Sequence, residues 1–305
     1  MNNIFRTLIV FGIIFTSCER KFNLNQFGYE EIDAPLIVPP TPDAEAVGKK
    51  GVCFTLSSDR FSTKISTLQA HWFYTWGPGL SGEVYDMKPE YTEFVPMQWG
   101  KWNINDERVA ELKVFRDAGK MHYLLGFNEP DKTDQANMTV DEAIDRWPKL
   151  MEVGVPLGSP ATTNPLNDWM KEFMQRATEE NLRVDFVTVH SYRGASVDNF
   201  INMLEDVWNE YGKPIWITEF AVADWTAATP EDNKFSPEQV LNFMKGVLPK
   251  LEDLEYVKRY SWFSFKESSS AGTSSALFDS NGELTPLGEY YADFKPNVFI
   301  GPGKD

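Results

Sequence analysis

The sequence predicts an α/β fold, specifically a (β/α)8 TIM barrel, and three observations carry that expectation. Eight short apolar runs alternate with helical patterns, the alternation spans Lys50 to Phe294, and no internal repeat breaks it. That span is close to the roughly 250 residues typical of such barrels. An open doubly wound sheet is the competing fold. It would want a Gly-rich phosphate turn after an early strand, and Gly77-Pro78-Gly79 lacks the rest of that fingerprint.

The elements follow in order. Gly51–Leu56 is the first strand-like run and Ser62–Gln69 a short helical pattern; His71–Trp76 is the second run. Residues 77–92 are rich in Gly and Pro and carry no helical period, so a long loop is expected in place of a helix there. Runs at Glu93–Gln98, His122–Asn128, Pro156–Pro160 and Asp185–Ser191 are separated by helices over Asp106–Ala118, Val140–Met151 and Asn167–Glu180. A helix over Val197–Tyr211 leads to the run Pro214–Glu219, and a helix over Pro237–Leu248 to the run Arg259–Phe265. Ser236-Pro237 and Thr285-Pro286 each place a capping residue before a Pro at the first helical position, the second opening a closing helix that ends near Phe294.

Ahead of the barrel, Met1–Arg6 gives a short basic start, Leu8–Phe15 an apolar core, and Thr16-Ser17-Cys18 small residues. This is the plan of an export signal, too short to span a bilayer core that needs about 20 residues. A cysteine directly after the small residues resembles a bacterial lipoprotein signal, which makes 1–17 the signal peptide and Cys18 the lipidated residue. Residues 18–49, with Pro35, Pro39, Pro40 and Pro42 among acidic and small residues, read as a tether holding the domain off a membrane. The catalytic domain is then 50–296, followed by a tail over 297–305. Once Cys18 is lipidated, Cys53 has no intrachain partner and reads as a buried small hydrophobe.

The chain carries 45 acidic and 29 basic residues, a net charge of −16, which argues against nucleic acid and against anionic polysaccharide as partners. A neutral ligand and a monomer are expected. The three histidines, His71, His122 and His190, have no ligand spacing, so neither a metal nor another cofactor is implied.

Active sites of these barrels lie at the C-terminal ends of the strands. The fourth run ends in Asn128-Glu129-Pro130 and the seventh in Thr218-Glu219-Phe220, one Glu at each apolar stop. Two carboxylates on one barrel face suit glycoside hydrolysis, with separations of about 5–5.5 Å for retaining enzymes and about 6.5–9.5 Å for inverting ones. Sequence does not measure that gap. Trp72, Tyr74 and Trp76 alternate along the second run and share one face; packing is the alternative for Trp72, whereas Trp76 abuts Gly77 where a flat indole can stack on a sugar. Gln98 and Trp99 end the third run, and His190 and Tyr192 the sixth. Trp147, Trp169 and Trp208 lie in helical patterns and read as core, Trp216 opposes Glu219 in strand parity, and Asp224, Glu231 and Asp232 read as solvated charges, with Asp224 also a candidate for the cleft rim.

Asn before Glu at the fourth strand end, with a second Glu at the seventh, resembles the clan A glycoside hydrolases. Within the clan, Trp72-Phe-Tyr-Thr-Trp-Gly-Pro, Leu125-Gly-Phe-Asn-Glu-Pro-Asp and Pro214-Ile-Trp-Ile-Thr-Glu-Phe resemble glycoside hydrolase family 128, whose members act on β-1,3-glucans. The likeness continues through Phe94–Trp99, Gly158–Ala161, Val187–Tyr192 and Tyr260–Phe263. It implies a retaining, endo-acting β-1,3-glucanase with Glu129 as general acid/base and Glu219 as nucleophile. Glu129 should then have a raised pKa, and Glu219 should be held ionised by donors such as Tyr192 and His190. Asn128 has an amide suited to a sugar 2-hydroxyl, Tyr74, Trp76 and Trp99 are candidate substrate contacts by their places at strand ends, and the resemblance adds Trp262 as an aromatic platform on the eighth strand. The rival readings are a lipoprotein that binds β-glucan oligosaccharides without cutting them and a clan A hydrolase of another β-glucan or mannan.

Overall fold

A computed structural model describes residues 48–57, 60–78 and 82–305. The expected signal peptide, Cys18 and nearly all of the tether lie outside the described residues. A six-stranded, wholly parallel sheet runs β3-β2-β1-β6-β5-β4. Its strands are β1 (Lys50–Cys53), β2 (Trp72–Tyr74), β3 (Glu93–Phe94), β4 (Val187–Arg193), β5 (Ile215–Val222) and β6 (Val257–Trp262). The two remaining runs supply isolated parallel bridges instead of ladders: Met97 to Leu125, Leu124 to Leu157 and Asn128 to Ala161, and Gly158 to Phe186 just before β4. These bridges continue the circuit from the β3 side to the β4 side, so all eight runs take their barrel positions. Gly126 and Gly158 lie where the fourth and fifth runs pass so closely that a side chain would meet the neighbouring backbone or the Phe186 ring.

Eight helices follow among the described residues: α1 (Phe61–Thr67), α2 (Gly82–Met87), α3 (Asp106–Asp117), α4 (Val140–Met151), α5 (Asp168–Glu179), α6 (Val197–Tyr211), α7 (Pro237–Asp253) and α8 (Pro286–Asp293). The short α2 corrects the expected structureless loop between the second and third strands. Six residues make fewer than two turns, too few to print a period on the sequence. The cap signals at Ser236 and Thr285 hold, each side-chain oxygen accepting a backbone N–H of its helix's first turn. Thr139 and Glu142 form a reciprocal capping box on α4.

Two apolar layers result. The outer one, between strands and helices, takes Val187, Val189, Ile215, Ile217 and the buried faces of the helices. The inner one fills the barrel with Cys53, Trp72, Tyr74, Val95, Met97, Leu125, Phe186 and Trp216. At its base the Arg259 guanidinium lies 4.2 Å from the Trp216 ring centre and 2.5 Å from Glu93 Oε2, so a buried charge has both a partner and π faces.

β1 and the residue before it also tie down two helix ends. Lys49 Nζ donates to the carbonyls of Leu251, Glu252 and Leu254 at the end of α7, and the fully buried Lys50 Nζ donates to those of Tyr291 and Ala292 in α8. Burial pulls the Lys50 pKa down to about 7, with Asp293 opposing. Lys50→Met should therefore orphan two helix carbonyls and cost about 2 kcal/mol of stability, read as a lower urea midpoint at unchanged m-value.

Candidate active site

The site is assembled at the C-terminal mouth of the barrel, and a β-bulge sets its register. Pairing between β4 and β5 runs Val189 to Ile217 and then jumps to His190 opposite Glu219, leaving Thr218 as the extra residue. Without the bulge, Trp216 and Glu219 would face opposite sides. With it, Trp216 packs in the barrel interior and Glu219 also points inward above it. This corrects the parity argument that placed Trp216 away from Glu219.

Glu219 is 4% exposed. A buried carboxylate needs donors, and three converge on it. Tyr74 OH (2.8 Å) and Trp76 Nε1 (2.7 Å) both donate to Oε1, and Tyr192 OH donates to Oε2. Burial and the neighbouring Glu219 charge push both tyrosine pKa values well above the usual phenol range, so both remain donors. Trp76 has φ +58°, a left-handed conformation costly for a bulky residue, and Gly77 follows it. That turn aims the indole N–H at the carboxylate.

Glu129 likewise has a left-handed φ of +40°, held by its N–H donating to the Ala161 carbonyl at 2.7 Å. Its Oε1 lies 3.2 Å from His190 Nδ1, and His190 Nε2 lies 3.3 Å from Glu219 Oε1, so one buried imidazole spans the pair. One ligand atom from each of the three residues falls within 4.8 Å of the others. Such a trio could sit around a cation. The O–H and N–H groups aimed at both Glu219 oxygens suit a carboxylate that stays free of metal.

The expected rise in the Glu129 pKa is not what the side chains give. Burial does push it up, but the hydrogen bond and charge of His190, with Lys132 behind, outweigh burial and hold it below the usual value. For His190, burial works against the charged form, and Glu219 and Glu129 overcome it and raise its pKa. The contact thus favours a charged imidazole on His190 beside an ionised Glu129.

Comparisons with known proteins agree with this geometry. The family model described as glycosyl hydrolase catalytic core matches residues 51–291. A family 128 subgroup I endo-β-1,3-glucanase from Amycolatopsis mediterranei, solved with laminaritriose, is 33% identical; the match covers 80% of this chain and 98% of that one, with a TM-score of 0.68. The chain belongs to glycoside hydrolase family 128. Alkali-sensitive linkage protein 1 of Schizosaccharomyces pombe is 30% identical over 255 residues, covering 80% of this chain and 44% of that protein, so the chain spans about half the length of this curated relative. A family 128 subgroup VII oligosaccharide-binding protein from Trichoderma gamsii shares the fold at 23% identity, with a TM-score of 0.59 and coverage of 81% and 93%.

Against this family 128 frame, the remaining site expectations divide. Glu129, Glu219, His190, Tyr192, Asn128, Tyr74 and Trp76 come together at the barrel mouth. Tyr74 is fully buried beneath Glu219 and offers no sugar-stacking face, and the half-buried Trp76 packs edge-on against Tyr74 and Phe263 while bonding Glu219. Asn128 directs Nδ2 to Gln135 and leaves Oδ1 buried without a partner. Trp99 is half-buried at the rim. Trp262 is not a platform: it is 0% exposed, its Nε1 donates to the Ser275 carbonyl, and it packs on Phe220 and Phe243 in the outer layer. Strand alternation instead gives the mouth to Phe263, one residue on, which meets Trp76, Tyr192 and Phe265. Asp224 is buried, not solvated, at 2% exposure.

Two outcomes follow. Trp76→Phe keeps an aromatic ring but removes one donor, so kcat should fall about a hundredfold with KM little changed; a raised KM at constant kcat would mark Trp76 as a sugar platform. The alkaline limb of kcat/KM should lie above 6.5, the ordinary histidine value, because His190 retains its proton to higher pH. In His190→Gln that proton rests on Glu129 alone, and the limb should move acidward by about one unit or more.

Proposed function

We propose that this chain is a retaining endo-β-1,3-glucanase, exported and anchored to a membrane through lipidated Cys18. One observation carries the reaction class. Oxygens of Glu129 and Glu219 approach within 4.8 Å across a single bridging histidine, with Glu219 surrounded by donors. That closeness is compatible with the roughly 5–5.5 Å carboxyl separation of double displacement. The linkage is supported by family membership and by the laminaritriose-bound relative. Anchoring is supported by the basic start, apolar core and Thr16-Ser17-Cys18 of the amino-terminal sequence.

In the first step Glu219 attacks the anomeric carbon. The bond to the leaving oxygen breaks, and that oxygen takes the proton held between Glu129 and His190. In the second step Glu129 accepts a proton from water as the water oxygen attacks the anomeric carbon and releases Glu219. Hydrogen bonds from Tyr74, Trp76 and Tyr192 stabilise Glu219 as leaving carboxylate, and the Glu129–His190 pair regains its proton. No cofactor takes part.

The full-length chain should release oligosaccharides of several lengths from linear β-1,3-glucan and leave cellulose and mannan intact. Glu219→Gln and Glu129→Gln should each lower turnover by at least about a thousandfold. Laminari-oligosaccharides bound but never cut would establish the non-catalytic binder. Cleavage of cellulose or mannan instead would keep the mechanism and overturn the linkage.

A further inference from the structure

Single exposed apolar side chains are ordinary on protein surfaces, but three stand together at the closed end of this barrel, away from the catalytic mouth. Tyr91, Val298 and Phe299 are 51%, 72% and 76% exposed. Tyr91 lies two residues before β3, and the tail carrying the other two runs alongside it. The Tyr91 N–H donates to the Ile300 carbonyl at 3.4 Å, and the Asn297 amide nitrogen to the Tyr91 carbonyl at 2.8 Å. The same nitrogen reaches the Ala70 carbonyl at 3.2 Å, two residues before β2. Strand starts mark the end of a parallel barrel opposite its active site.

The tail is fastened on both sides of the apolar pair. Asn297 and Ile300 bracket Val298 and Phe299 in sequence and are themselves buried. One residue further on, the Gly301 carbonyl accepts the Ser66 hydroxyl of α1. Backbone pinned in this way holds two large apolar side chains out in water, which lowers the entropy lost when a surface covers them.

The place where the chain enters the barrel says what covers them. Gly48 sits so close to the His71 ring that a Cβ there would lie 2.4 Å from Nε2, and that Nε2 is 3.1 Å from the Lys295 carbonyl, three residues before Val298. The chain thus arrives from Cys18 at the end of the barrel that carries the patch. About 30 residues separate Cys18 from Gly48, so full extension reaches at most about 100 Å. A tether of that length makes docking on the bilayer an intramolecular event, and a contact too weak to hold a free protein then suffices. Three side chains fall short of the roughly 800 Å² per partner that a stable protein interface buries. The surrounding charge favours neutral lipid: exposed Lys295 is offset by exposed Glu90 and Asp293, and the chain carries a net charge of −16, so no basic field draws it to anionic headgroups. We propose that Tyr91, Val298 and Phe299 are a contact surface for neutral lipid, by which the tethered barrel docks on the bilayer with its closed end down and its catalytic mouth facing outward. Phe299 and Val298 enter the acyl boundary, and Tyr91 keeps its hydroxyl among the headgroups. The inference rests on the reading of Cys18 as a lipidated anchor.

Fluorescence quenching on the full-length lipidated protein in phosphatidylcholine vesicles tests it. A polarity-sensitive thiol dye is attached through Phe299→Cys or, as the comparison, through Ser268→Cys in the exposed loop after β6 at the mouth; Cys53 is buried and does not compete for it. Nitroxide-labelled lipid tails should quench the dye at position 299 at least about threefold more than the dye at position 268, in low and high salt alike. Equal quenching at the two positions, stronger quenching at 268, or loss of the signal in high salt would overturn the proposal. With the dye at 299, Tyr91→Ser combined with Val298→Ser should lower the quenching by about half or more. Quenching that persists undiminished would belong to the dye alone and would overturn the patch. A signal that grows with the number of proteins per vesicle and vanishes at one copy would make the occupant a second copy of the chain, which also overturns the lipid contact. Flotation with the vesicles reads the anchor separately. If the protein does not float, lipidation of Cys18 falls, and residues 19–305, which contain the whole barrel, are bound through an amino-terminal hexahistidine to nickel-chelating lipid and give the same quenching outcomes for the patch.

Discussion

An ionised carboxylate taken out of water must be given back the hydrogen bonds it loses, and the buried Glu219 sets that demand for the whole barrel mouth. Each departure from regular structure around it serves that end. The bulge at Thr218 turns Glu219 inward beside His190. The left-handed backbone at Trp76 swings an indole N–H onto Oε1, where Tyr74 already donates from below, and Tyr192 takes Oε2. Removing the charge would leave three buried donors facing one another, which explains why so many strained or irregular features share one small region.

His190 extends the same constraint to the second carboxylate. A buried imidazole between two glutamates is raised in pKa because each carboxylate favours its charged form, and its charge in turn holds Glu129 ionised. The protonation states of His190 and Glu129 are therefore coupled. Below the site the barrel interior is a packed aromatic plug. Arg259, paired with Glu93 and enclosed by Trp72, Tyr123 and Trp216, is held by a partner and by π faces, as the carboxylates above are held by hydrogen-bond donors. Rigid filling beneath the site is what allows hydrogen bonds at the mouth to keep their geometry.

Much of this was legible in the sequence, for identifiable reasons. Strands buried on both faces read as apolar runs, capping residues announce helix starts, and a Glu ending an apolar run is conspicuous, so the barrel, Glu129, Glu219, His190 and Tyr192 could all be named. Trp216 and Trp262 went astray for reasons of strand geometry. A bulge shifts parity after Ile217 and no residue type announces it, and alternation passes the eighth-strand platform to Phe263. The hydrogen bonds from Tyr74 and Trp76 to Glu219 could not be read from the sequence, because an aromatic that stacks and one that donates look alike there. Asp224 reads as a surface charge until Thr226 and Lys234 are seen to close over it, and α2 is too short to leave a period.

The central claim is that Glu129 and Glu219 work as a closely spaced acid/base and nucleophile, and the stereochemistry of the first product tests it most directly. Proton NMR of a fresh digest of linear β-1,3-glucan, recorded before mutarotation, resolves the anomeric configuration of the new reducing end. Double displacement through Glu219 requires the β-anomer to appear first and the α-anomer to grow in later. The α-anomer appearing first would mean single displacement by water, and would contradict the roles assigned to both carboxylates.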